Sequence, residues 1–274
     1  MSPDDIGALV GEVVKPKPKP VRLLFYDIET APKTSYLWDM KVNGWVGTHM
    51  LLSDVFILSY ATKWSDNSKP QSGVLTPSEA RGQDDSRIVK SLSHLVKQAD
   101  YVVAHNGDSF DLPILNARMA ANNLGSFGHV QTIDTLKMSR SAFGKGIASH
   151  TLDFLAGFFG FDGKHSTTFS LWDQSYRGHG PSLKQMAAYN RQDVVLLEQV
   201  FHALKPYAKN LPRLVDVGEY RQEGCPSCGS EERKKDGYHR TKVNTFQRYR
   251  CLKCGRRYRG WQAIGSKKSG SIGL

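Results

Sequence analysis

The sequence has 274 residues, of which 39% are hydrophobic, and a formal net charge of +11 at pH 7. This length allows one large domain with a full core and a second, small domain. No apolar run approaches the ~20 residues of a membrane-spanning helix and the N-terminus lacks a signal-peptide core, which excludes the membrane and secreted classes and predicts a cytoplasmic protein.

The N-terminal segment, residues 1–20, ends in alternating lysine and proline from Lys15 to Pro20. Proline removes backbone donors and neighbouring lysines repel each other, so we expect a disordered or polyproline-like leader. The folded chain is expected to begin at residue 21.

The first predicted strand, Leu23–Thr30, carries two carboxylates, Asp27 and Glu29. Residues i and i+2 of a strand share a face, so both side chains point the same way. Two like charges repel unless a cation lies between them, and hard divalent ions prefer carboxylate oxygens. The stretch indicates a Mg²⁺ or Mn²⁺ site, although a lone Asp-x-Glu pair also fits a solvated strand end.

An aromatic-rich connection over residues 31–54 follows this strand and contains Tyr36, Trp38 and Trp45. Aromatic side chains beside a metal site can stack on nucleic-acid bases, at ~1–3 kcal/mol each. Packing under a long loop explains them equally well, so both interpretations stay open at this point.

The spacing of apolar residues predicts the elements that follow. The predicted strands cover Val55–Trp64, Gly73–Thr76, Tyr101–Ala104 and Val130–Leu136. The predicted helices cover Asp84–Gln98, Leu112–Asn122, Thr151–Phe159 and Ser182–Leu204. A mobile loop is expected over residues 139–150, and a polar stretch over residues 160–181 that faces either solvent or a phosphodiester backbone.

A third acidic candidate, Asp111, follows a strand and a glycine-bearing turn at the start of a predicted helix. Proteins with an α/β fold often place site residues there. Asp111 is either the N-cap of that helix or, with Ser109 or Asp108 as the cap, free to face a metal.

The last long helix carries the fourth candidate, Asp193, with Tyr189 four residues earlier. Residues at this spacing lie on one face of a helix, one turn apart. A partly exposed tyrosine beside a solvated aspartate is the structural alternative. Asp134 is a weaker candidate because no acidic residue pairs with it at short range.

Three patterns in this chain resemble the sequence motifs of one nuclease superfamily. They are Asp27-x-Glu29, Asn106-x-x-x-Phe110-Asp111 and Tyr189-x-x-x-Asp193. Their order and spacing are similar to the DEDD superfamily of 3′–5′ exonucleases, in its tyrosine-bearing DEDDy branch. The nearest resemblance is to the proofreading exonuclease domain of family-B DNA polymerases and its stand-alone, often phage-encoded, relatives. It covers residues 21–207 and implies an α/β, ribonuclease H-like fold with a mixed sheet flanked by helices.

The resemblance also implies a two-metal hydrolysis of phosphodiester bonds with two Mg²⁺ or Mn²⁺ ions ~3.5–4 Å apart. In that scheme Asp27, Glu29 and Asp193 hold the ion that activates the attacking water. Asp27 and Asp111 hold the ion that stabilises the leaving 3′ oxygen. Tyr189, with an ordinary pKa of about 10, orients the water by a hydrogen bond.

Five further residues are expected around the metals and the substrate. We expect Thr30, Asn106 and Phe110 to shape and pack the site. Tyr36 and Trp38 are the candidates for contact with the substrate.

All four cysteines lie near the C-terminus in two Cys-x-x-Cys pairs: Cys225, Cys228, Cys251 and Cys254. In a cytosolic chain this spacing favours a structural Zn²⁺ with four thiolate ligands, and disulfides are the alternative. A zinc ribbon is predicted over residues 225–260, between a linker at residues 208–224 and a flexible tail at residues 261–274.

The ribbon carries most of the positive charge. Residues 219–274 have 14 lysines and arginines against 5 acidic residues. Its Gln247-Arg248-Tyr249-Arg250 run resembles the ribbons of transposases and other nucleic-acid enzymes, and arginine interleaved with tyrosine suits phosphate contacts and base stacking. We expect the ribbon to supply affinity for nucleic acid, although a solvated basic tail is the simpler alternative.

Other functions compete with the exonuclease interpretation. A DDE-type transposase or a resolvase also places carboxylates on this fold, a 3′–5′ exoribonuclease shares the motifs, and a non-catalytic nucleic-acid-binding protein could keep the fold. The motif set favours DNA over RNA as the substrate. Replication or repair proteins are the expected, unidentified partners.

Overall fold

The computed structural model of the protein describes residues 21–41, 44–161, 168–209, 211–212, 214 and 224–265. The predicted leader, residues 1–20, and most of the predicted linker lie outside the described residues. The described chain forms two compact units, one from Arg22 to Leu211 and one from Pro212 onward. Among the helices of the described residues, none combines the length and the apolar character needed to cross a membrane.

The first unit is built on a mixed five-stranded sheet in the order β5-β4-β1-β6-β7. Its strands are β1 Leu23–Thr30, β4 Ile57–Trp64, β5 Gln71–Val74, β6 Tyr101–Ala104 and β7 Thr132–Asp134. Strands β1, β4 and β5 pair antiparallel, whereas β6 pairs parallel with β1 and with β7. A short hairpin of β2 Thr34–Ser35 and β3 Leu51–Ser53 interrupts the connection between β1 and β4.

Seven helices of the described residues belong to this unit. They are α1 Pro77–Gly82, α2 Ser86–Lys97, α3 Asp111–Ala121, α4 Thr135–Phe143, α5 Leu152–Phe158, α6 Phe169–Tyr176 and α7 Gly180–Leu204. Single 3₁₀ turns lie at Thr48–Met50, Gly144–Gly146 and Lys205–Tyr207.

The alternation of side chains along β1 decides which face of the sheet carries the acids. Tyr26 belongs to a buried cluster with Ile88 and Leu92 of α2. Phe25 instead packs edge-on against Phe201 of α7, with ring centroids 5.4 Å apart. Residues of the same parity share a face, so Asp27 lies on the face that α7 covers.

Several predicted elements need correction. The mobile loop expected at residues 139–150 is wrong at its start, since α4 extends to Phe143. The strand expected over Val130–Leu136 is shorter because the Asp134 side chain accepts from the backbone N–H groups of Leu136 and Lys137 and starts α4. The polar stretch at residues 160–181 contains α6, whose residues Phe169, Trp172 and Tyr176 have helical spacing.

The second unit contains a three-stranded antiparallel sheet in the order β10-β9-β8. Its strands are β8 Arg233–Arg240, β9 Thr245–Cys251 and β10 Arg257–Ala263. Strand β10 runs into the segment expected as a flexible tail because Ala263 pairs with Phe246. Leu214, in the predicted linker, is buried and donates its N–H to Pro226 O at 2.8 Å. The expected fold, a mixed sheet flanked by helices plus a small ribbon, is confirmed.

Candidate metal centre and cleft

Three carboxylates from distant parts of the sequence meet at the end of β1. Oxygen atoms of Asp27, Glu29 and Asp193 all lie within 4.8 Å of one another. Strand β1 supplies the first two from one face, and α7, which packs over that face, supplies the buried Asp193. Three like charges at this separation repel unless a cation or a proton lies between them, and an all-oxygen donor set suits Mg²⁺ or Mn²⁺. The side chains present therefore fit a divalent ion.

Two side chains that sequence reasoning missed hold these acids in place. The indole of Trp172 in α6 donates to Glu29 Oε2 at 3.1 Å. The amide of Asn190 in α7 donates to Asp27 Oδ2 at 2.5 Å. Second-sphere donors of this kind fix the orientation of carboxylate ligands. Only Trp172 left a signal in the sequence, as part of the helical aromatic spacing of α6.

Tyr189 lies one turn before Asp193 on α7 and is 8% exposed. Its ring meets the Trp172 ring edge-on, with centroids 6.2 Å apart. Trp172 thus contacts both the Glu29 carboxylate and the tyrosine ring. The alternative of a partly exposed Tyr189 beside a solvated Asp193 is wrong, because both side chains are buried.

Asp111 lies outside the three-carboxylate cluster but is fixed to the same strand. Its Oδ1 accepts from the backbone N–H of Ile28 at 3.1 Å. Ile28 lies between Asp27 and Glu29 in the sequence. The pairing of β1 with β6 ends at Phe25 and Val103. The Ile28 N–H lies beyond this last pair and donates to Asp111 instead. Burial raises the pKa of its carboxyl to about 7, and the Ile28 N–H opposes this rise.

The start of α3 differs from both sequence-based alternatives. Asp111 is the first residue of the helix, and Phe110 occupies the N-cap position without a side-chain cap hydrogen bond. The expectation that Ser109 or Asp108 caps the helix is therefore wrong. Phe110, which directly precedes Asp111, is 42% exposed.

The turn that precedes α3 is held by Asp134. Its Oδ1 accepts from the Asn106 N–H at 3.1 Å, and its Oδ2 accepts from the Asp108 N–H at 3.4 Å. Asn106 has a φ of +65°, a left-handed conformation that asparagine tolerates better than most residues. Asp134 thus has structural partners in the turn and in α4.

A cleft of about 470 Å³ opens beside the carboxylates. Its lining includes Asp27, Asn106, Arg140, His150, Asp153 and Asp193. His150 Nε2 lies 2.9 Å from Gly144 O, which can only accept, so Nε2 donates to it, and Nδ1 forms a hydrogen bond with Ser139 Oγ at 2.7 Å. The histidine therefore braces the cleft wall, while Arg140 places a cation beside the acids.

The predicted substrate-contact residues lie at the surface or at an irregularity of β1. Trp38 is 98% exposed and Tyr36 is also exposed. Packing under a long loop is therefore the wrong explanation for these two rings. Thr30 is half-buried and follows a register shift in the pairing of β1 with β4.

The four cysteines of the ribbon form the second candidate metal site. Their sulfur atoms lie within 4.8 Å of one another, and all four thiols are free. The Cys225–Cys254 and Cys228–Cys251 sulfurs are 3.6 Å apart, whereas a disulfide bond measures ~2.05 Å. Disulfides are therefore the wrong alternative, and four convergent thiolates fit a tetrahedral Zn²⁺.

Comparison with known proteins adds a family to this geometry. The family described as the RNase_H superfamily matches residues 53–205, which include Asp111 and Asp193 but not Asp27. The solved structure of the family B DNA polymerase from the hyperthermophilic archaeon Pyrobaculum calidifontis is 18% identical, with a TM-score of 0.46. The similarity covers 69% of this chain and 26% of that polymerase.

No curated protein matches this sequence. The family match spans more than half of the chain and takes in strands β4 to β7 and helices α1 to α7. Helix α7, which carries Asp193, lies within the matched region. Strand β1, which carries Asp27 and Glu29, precedes that region and pairs with its strand β4. The chain belongs to the RNase_H superfamily.

Proposed function

We propose that this chain is a metal-dependent 3′–5′ exonuclease of the DEDDy type that hydrolyses phosphodiester bonds of single-stranded DNA. The observation that carries the proposal is the convergence of Asp27, Glu29 and Asp193 within 4.8 Å at a cleft. Tyr189 lies one turn from Asp193 and supports the DEDDy assignment. The volume of about 470 Å³ falls within the ~300–1,000 Å³ range of small-ligand pockets, which suits a terminal nucleotide.

The residues divide the work of hydrolysis between them. Two bound Mg²⁺ or Mn²⁺ ions would lower the pKa of the attacking water and stabilise the leaving 3′ oxygen. Asp27, Glu29 and Asp193 would hold the first ion, and Asp27 with Asp111 the second. The Tyr189 hydroxyl would orient the attacking water by a hydrogen bond. Trp172 and Asn190 keep the carboxylates in position.

Exposed rings provide stacking surfaces for the DNA. The connection that bears Tyr36 and Trp38 leaves the end of β1 that carries the acids. The Phe110 ring is also exposed and directly precedes Asp111. Base stacking contributes ~1–3 kcal/mol per ring and is tolerant of sequence. These rings hold the strand while Arg140 contacts a phosphate in the cleft.

The ribbon binds one structural Zn²⁺ through its four cysteines and adds affinity for nucleic acid. So small a segment has too little core to fold without the ion, whose binding supplies on the order of 10 kcal/mol. We infer a cytoplasmic enzyme that works with replication or repair proteins. The alternatives remain an exoribonuclease, a DDE-type transposase or resolvase, and a binding protein without activity.

The test is an assay of the purified chain with Mg²⁺ or Mn²⁺ on 5′-labelled single-stranded DNA, duplex DNA and RNA of one sequence. We expect a ladder of products shortened from the 3′ end, fastest on single-stranded DNA, and no products from Asp27→Ala. Asp173→Asn, a change at a half-buried residue of α6 that pairs with Arg177, is the control and should keep full activity. Cleavage that survives in Asp27→Ala would refute the assignment, and strand-transfer products from transposon ends would favour a transposase.

A further inference from the structure

The interleaved arginines and tyrosines of the ribbon do not share a surface. Successive residues of a strand point to opposite faces, so Arg248 and Arg250 of β9 lie on one face and Tyr249 lies on the other. The register extends this separation to β10, where Tyr258 pairs with Tyr249 and Arg257 pairs with Arg250. The arginines suited to phosphate contacts and the tyrosines suited to base stacking therefore lie on opposite faces of the sheet.

The cationic face carries five basic side chains from three strands: Lys234, Arg248, Arg250, Arg257 and Arg259. Arg250 stands between Lys234 of β8 and Arg257 of β10, and Arg248 pairs with Arg259. Neighbouring strands are about 4.8 Å apart, and like charges directly opposite each other destabilise a sheet. This arrangement favours a ligand that supplies several negative charges in a row.

Contacts within the ribbon neutralise only part of this charge. Asp236 forms ion pairs with Arg257 at 2.7 Å and with Arg248 at 3.6 Å. The Arg259 guanidinium lies 4.1 Å over the Phe246 ring. Lys234 and Arg250 are exposed and form no ion pair with another residue in the described part of the ribbon. Asp236 is thus the one carboxylate among five cations, and the other two acids in the described part of the ribbon, at positions 231 and 232, precede the sheet.

On the opposite face, Tyr249 and Tyr258 are already held by contacts with neighbouring side chains of the ribbon. The Tyr249 and Tyr258 rings lie 5.8 Å apart, and the Arg233 guanidinium lies 4.5 Å over Tyr249. Tyr258 is partly buried, which raises the pKa of its hydroxyl to about 12. Bases could stack on these rings only by displacing contacts inside the ribbon. Lys235, which pairs with Tyr249, is an exposed cation on this face.

We propose that the cationic face binds the phosphate backbone of nucleic acid by charge. The inference rests on the proposed function, since it assigns the ribbon's contact with the same substrate. Binding of this kind is independent of sequence and weakens with salt, because each neutralised phosphate releases counterions. For single strands, each contact contributes about 0.7 to the slope of log affinity against log salt.

The experiment measures binding of the full chain to labelled single-stranded DNA over a range of salt concentrations, without Mg²⁺ and with Asp27→Ala to prevent cleavage. Lys234→Ala and Arg250→Ala should each weaken binding several-fold and reduce the salt slope by about 0.7, and the double variant by about 1.4. Lys235→Ala removes the same charge from the opposite face and should leave the slope within error. Zinc content shows that each variant keeps the ribbon intact.

Two results would overturn the inference. One is a Lys235→Ala variant that loses as much slope as Arg250→Ala, which would mean that net charge acts instead of a face. The other is unchanged binding in the Lys234→Ala, Arg250→Ala double variant. Because binding is measured without catalysis, its failure is distinct from a failure of the nuclease assignment, which the cleavage assay reports.

Discussion

The indole N–H of Trp172 donates to Glu29 Oε2 at 3.1 Å across 143 positions of the sequence. The same ring packs edge-on against Tyr189. Helix α6 therefore contacts the candidate metal site through one side chain, which orients the Glu29 carboxylate and packs against Tyr189. Changes at Trp172 should alter metal binding before they alter the fold.

Replacing Trp172 with phenylalanine tests this link. Trp172→Phe keeps an aromatic ring against Tyr189 but removes the donor to Glu29. Loss of such an outer hydrogen bond costs about 10–100-fold in metal affinity or activity. We expect the Mn²⁺ concentration for half-maximal cleavage to rise by that factor, as measured by metal titration. Tyr176→Phe, on the same helix, should titrate as the wild type, and an unshifted Trp172→Phe curve would contradict the role.

Asp193→Asn should change the free energy of unfolding in opposite directions without and with metal, because it removes both a repelling charge and a metal ligand. Asp193→Asn removes one charge from the cluster, so the metal-free variant should unfold at a higher urea concentration than the wild type. Metal that binds only the folded state at 100 times its Kd stabilises it by about 2.7 kcal/mol. We expect Asp193→Asn to lose this gain and Asp173→Asn to keep it. Equal stabilisation of all three proteins by Mn²⁺ would argue against the site.

The raised pKa of Asp111 should make the metal-free protein sensitive to pH. Its folded-state pKa of about 7 exceeds the ordinary value of about 4, so between these values the folded state keeps a proton that the unfolded chain has released. The unfolding free energy then falls as the pH rises through this window. Asp111→Asn can accept the Ile28 N–H but cannot ionise, so its stability should depend less on pH.

Urea unfolding at about pH 5 and 7, with chelator present, measures this difference. Asp39→Asn, an exposed change, should follow the wild type at both values. Parallel curves for Asp111→Asn and wild type would show that the buried carboxyl does not titrate as proposed.

A buried charge outside the site should dominate the stability of the first unit. Asp85 is fully buried and accepts from the Ile57 N–H at 2.9 Å and from Arg118 at 2.8 and 2.9 Å. Removing one partner of a buried pair costs about 3–5 kcal/mol because the other charge is left without compensation. We expect this loss in Asp85→Ala by urea unfolding. Asp84→Ala, a change at its exposed neighbour, removes the hydrogen bond from the Ser86 N–H at 3.0 Å and should cost about 1 kcal/mol.

Loss of zinc should separate binding from cleavage. Cys254→Ser removes one of four thiolates that converge in the ribbon. We expect lower zinc content, weaker DNA binding and a flatter salt dependence, while the acids of the first unit still cleave substrate at low salt. Cleavage abolished together with zinc, at saturating substrate, would show that the ribbon takes part in chemistry.

Local spacing in the sequence is enough to place the candidate acids on shared faces. Asp27 and Glu29 share a strand face, and Tyr189 and Asp193 share a helix face, so spacing alone aligns each pair. Trp172 and Asn190 were missed because their partners lie 143 and 163 positions away, and no local pattern records such contacts. Helix α4 was missed because serine and glycine suggested a loop, whereas the Asp134 cap and packing stabilise the helix.

The ribbon shows the converse limit. The Arg-Tyr-Arg run predicts a positively charged segment with aromatic rings. Composition alone does not show that the arginines and the tyrosine lie on opposite faces of a strand. Only the pairing of β9 with both neighbours assigns Arg250 and Tyr249 to separate faces.

Asp134 joins two walls of the cleft through a single carboxylate. It receives the Asn106 N–H from one wall and begins the helix that carries Arg140 on the other. These two walls should therefore move together when the cleft changes width. His150 is tied to the same helix through Ser139, so widening of the cleft around an incoming strand end must come from the sides that carry Asp153 of α5 and Asp193 of α7.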